Sequence, residues 1–346
     1  MAFGWGIVST GKHPDVKIAP AITATAGAEL VAVYSRDQGR AAAFAQKHAA
    51  RAAYSKVSDL LADPRVEGVF VCSPNVLHAE HVVQAAQAGK HVLCEKPMAT
   101  TVADAIRMVQ ACRRAGVTLG VAFNLRQHPG HIRAKEIVAA GALGRVVIAQ
   151  GQWAFGVRGR DASPPRTELT QWWDTPELIG GASTMMGTGV HVVDLMRFVL
   201  GQEITEVTAV TDGQTQAKPL EQIACLTLRF SGGTLGQVTA SRLLPDSRND
   251  FRLYGILGRL EGHASLWEAR TGRFETVSET VNETADYPEA LLPNYVAEIE
   301  DFQRAVAAKR DPAATGVDGL RIVEVTLAMI ESARTGRTVK LQPAQP

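Results

Sequence analysis

Residues 91–100, HVLCEKPMAT, place a glutamate, a lysine and a proline directly after four residues that read as a buried strand. A plain turn has no need of this arrangement. Pro97 restricts the backbone on both sides of its own bond, so Glu95 and Lys96 are held at a strand end. A lysine held there and partly desolvated has a physical reason for a depressed pKa. Such a group can donate a proton or orient an oxygen that gains negative charge. A second candidate lies in GTGVHVVD, where His191 and Asp194 stand three apart on one helical face. Imidazole titrates near neutrality and can both give and take a proton. The plainer alternative is a core histidine bonded to Asp194.

These residues depend on the elements that carry them. Over the first 122 residues, apolar runs alternate with amphipathic stretches. Phe3 to Ser9, Ala28 to Ser35, Glu67 to Ser73, HVLCE and VTLGVAF read as strands, and VLHAEHVVQAAQAG and VADAIRMVQACRRAG as helices ended by Gly89 and Gly116. Continuous apolar strands separated by helices predict a parallel sheet covered on both faces, a doubly wound Rossmann fold. Its ligands gather outside the carboxyl ends of the strands, where Ser9, Ser35, Ser73 and the Glu95–Lys96 pair all fall. After about Phe123 the texture changes. One helix, a long strand RVVIAQGQWAF, a loop rich in Arg, Pro and Gly, and a helix over 180–201 precede the strand-like stretches ITEVTAVT, IACLTLRF, TLGQVTASR, DFRLYGILG and GRLEGHAS. Two helices, roughly Asn294 to Ala308 and Val317 to Ala333, close the chain. The expected organisation is α/β: a doubly wound parallel sheet over residues 1–122, then an α+β domain over 123–346 with a large, mainly antiparallel open sheet.

The first strand delivers GIVSTGKHP, where a dinucleotide fold carries G-x-G-x-x-G. Gly11 supplies the second glycine, the one that lets backbone approach a pyrophosphate; Ser9 and Pro14 stand at the other two positions. Ser9 and Thr10 add hydroxyl groups and Lys12 a charge. At the end of the second strand an NAD site wants a carboxylate for the ribose hydroxyls. YSRDQGR offers Ser35, Arg36 and Arg40 instead, a set suited to a 2′-phosphate, so NADP(H) is the expected cofactor. Asp37 keeps NAD(H) as the alternative.

With E-K-P after a strand, SPNVLHAEHVVQAAQAGKHVLCEKPMATT, GVHVVDLMRF and the closing TGVDGLRIVEVTLAMIESARTGR, the chain resembles the Gfo/Idh/MocA oxidoreductases over essentially its whole length. Within that family it is most similar in texture to the anhydrofructose reductase-like members. The resemblance implies that Ser73, Pro74, Asn75 and His78 line the cofactor cleft and that Glu95 and Lys96 sit beside the nicotinamide ribose, with a cis bond before Pro97. Trp172, Trp173 and Tyr295 would border the cofactor from the second domain. Lys96 and His191 would share the acid–base work. Asn124 and Arg126 in FNLRQHP would touch the substrate, or else hydrogen-bond across the domains. The implied function is an NADP(H)-dependent oxidoreductase interconverting a carbonyl and a secondary alcohol on a sugar, sugar derivative or polyol. The alternatives are a non-catalytic nicotinamide-binding regulator, and a lyase or glycoside-cleaving enzyme that uses the nicotinamide transiently. One position departs from the family's D-x-G-x-H-x-x-D: Gly187 stands where the aspartate would be. The change opens space beside the substrate next to Met185 and Met186, and Asp174 or Glu177 from the preceding loop could fill it. The loop GVRGRDASPPR, with Arg158, Arg160 and Arg166, faces either an anionic substrate or solvent.

Composition narrows the partners. Thirty-six basic against 35 acidic residues leave a net charge of +1, which gives no electrostatic case for nucleic acid or an anionic membrane. No apolar run reaches the ~18–20 residues of a membrane span. Four cysteines without paired spacing and no export signal point to the cytoplasm. The pairs His78/His81 and His128/His131 lack the cysteine or carboxylate spacing of a metal site, so none is expected. A homo-oligomer is expected through the antiparallel sheet, on a face carrying Leu226, Leu228, Val238 and Leu253.

Overall fold

The computed structural model describes residues 2–163, 166 and 168–346; Pro164 and Pro165 of the arginine-rich loop lie outside them. The first sheet is parallel, with six strands: β1 (Phe3–Val8), β2 (Ala28–Tyr34), β3 (Ala52–Tyr54), β4 (Gly68–Val71), β5 (His91–Cys94) and β6 (Leu119–Val121). Their spatial order, β3-β2-β1-β4-β5-β6, reverses at β1, so a crevice opens there at the carboxyl ends. Helices α1 (Ala19–Ala24), α2 (Gln38–Lys47), α3 (Val57–Ala62), α4 (His78–Gln87) and α5 (Val102–Ala115) connect the strands. Two of them are started or stopped by side-chain and backbone caps. Asp37 caps α2 by accepting from the Arg40 amide, Thr101 caps α5 through the Asp104 amide, and Gly116 ends α5 at φ +67°.

The chain then passes through α6 (Pro129–Ala139) to β7 (Val146–Ala154), the short α7 (Pro176–Ile179), a π-helical turn over Met185–Gly189, and α8 (Val190–Leu200). The second sheet is completed by β8 (Ile204–Thr211), β9 (Ile223–Phe230), β10 (Leu235–Ser241), β11 (Phe251–Gly255), β12 (Gly258–His263), β13 (Arg270–Ser278) and β14 (Asn282–Ala290). After α9 (Pro293–Ala308) and α10 (Gly316–Thr335), the two-residue β15 (Val339–Lys340) pairs with β8. This nine-stranded sheet is antiparallel throughout except for β7 beside β10, which run parallel. β13 and β14 have no counterpart among the strand-like stretches of the sequence. β14 has no buried residue and no alternating apolar face, contains Pro288, and pairs only with β13 at the sheet's edge.

The helix expected over 180–201 begins later than its pattern suggested: Gly180 and Gly181 take φ +95° and +84°, and helical winding starts at Thr184, passing through the Met185–Gly189 π turn into α8. The face of the large sheet also needs correcting. Leu226, Leu228, Val238 and Leu253 are 3, 1, 1 and 0% exposed and belong to the core. The open face carries Arg252, Gln150, Gln237, Thr227 and Thr208 in one cross-strand row, and Tyr254, Ile148, Leu235, Arg229 and Glu206 in the next. Helix α9 turns back onto the first sheet: Tyr295, Ile299 and Phe302 share a core with Trp5 and Phe70, the ring centroids of Trp5 and Phe302 lying 5.5 Å apart.

Candidate active site

Two adjoining cavities open at the carboxyl ends of the first sheet. The outer, about 470 Å³, runs from the turn after β1 past the end of β2 to the indole rings of the second domain. Ser9, Thr10, Gly11, Lys12, Ser35, Arg36, Arg40, Ser73, Pro74, Trp172 and Trp173 all line it. The inner, about 300 Å³, shares His13, Cys72, Ser73, Trp172 and Trp173 with the outer and adds Asn75, His78, Glu95, Lys96, Asn124, Gly187, His191 and Tyr295. The expected site residues, apart from Arg126, therefore meet in one continuous cleft.

The outer cavity fits a dinucleotide. A Cβ built on Gly11 would meet nothing nearer than Ser9 Oγ at 3.6 Å, so the turn's backbone is open to an approaching phosphate. Ser9 takes φ +124°, a conformation suited to glycine, and its hydroxyl accepts from the Gly11 amide at 3.3 Å. Arg36 and Arg40 are exposed at the mouth. Asp37, the possible ribose ligand, accepts from the Arg40 amide at 2.9 Å and does not line the cavity.

The strand β5 leads into Glu95, Lys96 and a cis bond before Pro97. Glu95 is clamped: Oε1 lies 2.8 Å from His13 Nε2, and Oε2 accepts from the Lys96 amide at 3.2 Å. Burial pushes this carboxyl up, but the His13 and Lys96 charges outweigh it and hold the pKa below the usual range. Lys96 Nζ donates to the Gly187 carbonyl at 2.9 Å. Burial lowers the Lys96 pKa, and the charges of Glu95, Glu268 and Glu298 only partly offset this. His191, at the start of α8, lies against Trp153 at 5.0 Å and meets the edge of Phe123 at 6.2 Å. Burial, then the charges of Lys96 and His13, hold its pKa well below the ordinary value. Its ring is therefore neutral at pH 7, and Nδ1 is buried without a hydrogen-bond partner among the described residues. Both polar side-chain atoms of Asn124 are likewise buried and unpartnered.

Several expectations are refined here. Asp194 does not hold His191: Arg126 takes both its oxygens, Nε to Oδ2 at 2.8 Å and Nη2 to Oδ1 at 2.6 Å. Arg126 also reaches Asp318 at 3.0 Å and the Ala313 carbonyl at 2.6 Å. It is thus a buried clamp joining α8 to α10, and it lines neither cavity. The forked guanidinium wins because it satisfies two carboxylates at once, which an imidazole cannot. His78 touches the inner cavity, and its ring nitrogens lie 3.0 and 2.7 Å from the carbonyls of Pro97 and Ser73, one of which accepts from its N–H. It braces the loop that carries Pro97 against the end of β4. Asn75 is similarly committed through Nδ2 to the Ile179 carbonyl. The suggested substitutes for the missing aspartate do not enter the gap at Gly187: Asp174 pairs with Arg166 at 2.7 Å, and Glu177 is absent from the cavity wall.

Other lining residues were not singled out from the sequence: His13, Phe155, Arg242 and Glu268. His13 follows Gly11 by two residues, a proximity that could have flagged it. Glu268 sits in a loop after β12 and is brought in by Lys17, whose Nζ meets Oε2 at 2.6 Å; no local pattern announces that contact.

The comparisons with known proteins bear on this geometry. Residues 3–123 match the oxidoreductase family with an NAD-binding Rossmann fold, and residues 131–261 match the GFO/IDH/MocA C-terminal domain. The chain belongs to the Gfo/Idh/MocA family. It is an NAD(P)-dependent oxidoreductase whose first sheet is the dinucleotide-binding unit. The chain is 30% identical to a 1,5-anhydro-D-fructose reductase of Ensifer adhaerens over 98% of both chains. It is 31% identical to a D-xylose 1-dehydrogenase (NADP(+)) of Haloferax volcanii, over 97% of this chain and 99% of that one. The solved structure of an aldose-aldose oxidoreductase from Caulobacter crescentus, complexed with glycerol, is similar at 27% identity with a TM-score of 0.85, covering 99% and 100% of the two chains.

Proposed function

We propose that this Gfo/Idh/MocA member interconverts a carbonyl and a secondary alcohol on a sugar, sugar derivative or polyol, with Lys96 and His191 handling the proton. The observation that carries the reading is Lys96 itself, held between Glu95 and the Gly187 carbonyl in the same cavity as a neutral His191. A nicotinamide dinucleotide, held in the outer cavity by the turn after β1 and Ser35, Arg36 and Arg40 and reaching towards Glu95 and Lys96, would supply or accept the hydride. Lys96 Nζ is placed to hold the substrate oxygen and to give it a proton as it becomes alkoxide-like. The depressed pKa keeps that proton transferable, and the neutral imidazole of His191 offers a second hydrogen bond and a proton acceptor. Asn124, with its unpartnered amide, supplies a further donor and acceptor for a hydroxyl. The names of the relatives, a reductase and a dehydrogenase of sugars, support a sugar-like substrate.

NADP(H) is the preferred form in this reading, through Arg36 and Arg40. Residues 1–122 form the cofactor domain and 123–346 the substrate domain, with α9 lent back to the first sheet. The test is nicotinamide absorbance with NADPH or NADH and a panel of keto, deoxy and anhydro sugars and inosones. Lys96→Ala should lower kcat/KM by roughly 10²–10⁴ while cofactor affinity holds. Unchanged turnover in Lys96→Ala would reject the assignment of Lys96. Full cofactor binding with no turnover on the panel, and breakdown of glycosides instead, would favour the transient-redox alternative.

A further inference from the structure

The inner cavity contains a positive charge that the protein does not neutralise. Strands β7 and β10 run parallel, with Ser241 opposite Ala154, and end together at the cavity. The next residue of each, Phe155 and Arg242, lines it. The Phe155 amide donates to the Ser241 carbonyl at 3.0 Å and the Arg242 amide to the Gln222 carbonyl at 2.9 Å, so both backbones are fixed. The Arg242 guanidinium lies 5.8 Å from the Phe155 ring centroid. It makes no ion pair among the described residues, and its Nε is buried without a hydrogen-bond partner.

The surrounding cations differ from Arg242 in this respect. Lys17 is matched by Glu268, His13 by Glu95 and Arg166 by Asp174, and Lys96 rests on the Gly187 carbonyl. The residue facing Lys96 that could have brought a carboxylate is Gly187. A Cβ there would meet nothing within 4 Å, so the space is open and carries no charge. Arg242 is half-buried: its Nε is closed off from water without a partner, which is costly unless a ligand completes it, and the guanidinium carries its charge into the cavity unpaired. Its planar fork matches the oxygens of a carboxylate or a phosphate.

The geometry points to a substrate that carries an anionic oxygen group, a carboxylate or a phosphate, bound by Arg242 while its reacting carbon lies beside Lys96 and His191. This rests on the reading of the inner cavity as the substrate site, and it narrows that reading from sugars in general to acidic sugars. A cavity of about 300 Å³ accommodates a single sugar unit with such a group.

The test is calorimetric binding to the NADPH-loaded protein at fixed moderate salt, with matched probes: D-glucuronate against D-glucose, 5-keto-D-gluconate against D-fructose, and D-glucose 6-phosphate against D-glucose. The wild type should bind the anionic member roughly ten- to a hundredfold more tightly. In Arg242→Gln that ratio should collapse towards one, and Arg242→Lys should restore part of it. A merely structural role for Arg242 would weaken both members of a pair alike and leave the ratio standing, which would overturn the proposal. A ratio near one in the wild type, or no binding of any anionic probe, would overturn it as well. Preference for glucuronate or for the phosphate decides between the two anion sources, and either supports the proposal. An Arg242-dependent ratio without NADPH oxidation on any probe would leave the anion site in place and reject the carbonyl-reduction reading.

Discussion

Arg36 and Arg40 stand exposed at the mouth of the outer cavity, one helical turn apart, while the carboxylate between them caps α2. An NAD-selective site needs that carboxylate free for the ribose; here its Oδ1 is already satisfied by backbone. In the proposed NADP(H) reading, the two guanidinium groups would instead offer charge-assisted donors to a 2′-phosphate. Replacing both with alanine should raise the KM for NADPH by roughly ten- to a hundredfold and leave that for NADH within a few-fold. Steady-state kinetics with both cofactors checks this; equal losses for the two would show that the arginines act on something other than the 2′-phosphate. At the catalytic end, the same logic of paired and unpaired groups applies. Glu95 is fully engaged, whereas His191 and Asn124 keep unpartnered atoms that a substrate can satisfy.

Among the elements, the π-helical turn over Met185–Gly189 links sequence departure to chemistry. It brings the Gly187 carbonyl to Lys96 Nζ and leaves the Gly187 side-chain position open. Gly187→Asp can therefore be accommodated sterically, and it would put a carboxylate near an amine whose charged form burial disfavours. An added negative charge favours protonated lysine, so the Lys96 pKa moves up. The limb of the pH–rate profile that reports Lys96 should shift to higher pH, with the protein still folded by circular dichroism. No shift in that limb would mean that residue 187 does not face the amine.

For the whole molecule, buried histidines set the acid limit. His81 and His128 are lowered from 6.5 to about 4, in both cases chiefly by burial. Between those values the unfolded chain binds protons that the folded chain does not, so stability rises with pH across this window. It is fully present above about pH 7 and is lost as pH falls from 6.5 towards 4, by roughly 3 kcal/mol for each histidine. Asp63 and Asp318, held at about 2, withdraw their contribution only further down, below 3.8. Thermal unfolding from pH 8 to 4.5 should show Tm falling below pH 6.5; a flat profile would contradict the buried neutral histidines. The open face of the large sheet mixes Ile148, Leu235 and Tyr254 with charged and amide side chains, a composition that suits association between copies. We propose that the chain self-associates through it. Sedimentation should give a species above the 37.0 kDa monomer, reduced by Leu235→Glu; a monomeric wild type at micromolar concentration would reject the interface.

Much of this was legible before any coordinates. Apolar runs at alternating intervals define the parallel sheet, and once its strands are known their carboxyl ends locate Ser9, Ser35, Ser73, Glu95 and Lys96. The aspartate missing at Gly187 is visible only against the family pattern, but the position itself is local. Helical spacing also put His191 and Asp194 on one face, yet it could not show that Arg126, 68 residues earlier, takes both oxygens of that carboxylate. Alternation in β9 and β10 separated two faces of the large sheet without saying which one the helices cover, so Leu226 and Val238 were placed on the wrong side. The chain's period determines which residues share a face. Which face loses its water, and which charge finds a partner, is decided by segments far apart in sequence, because burial and ion pairing depend on through-space distance.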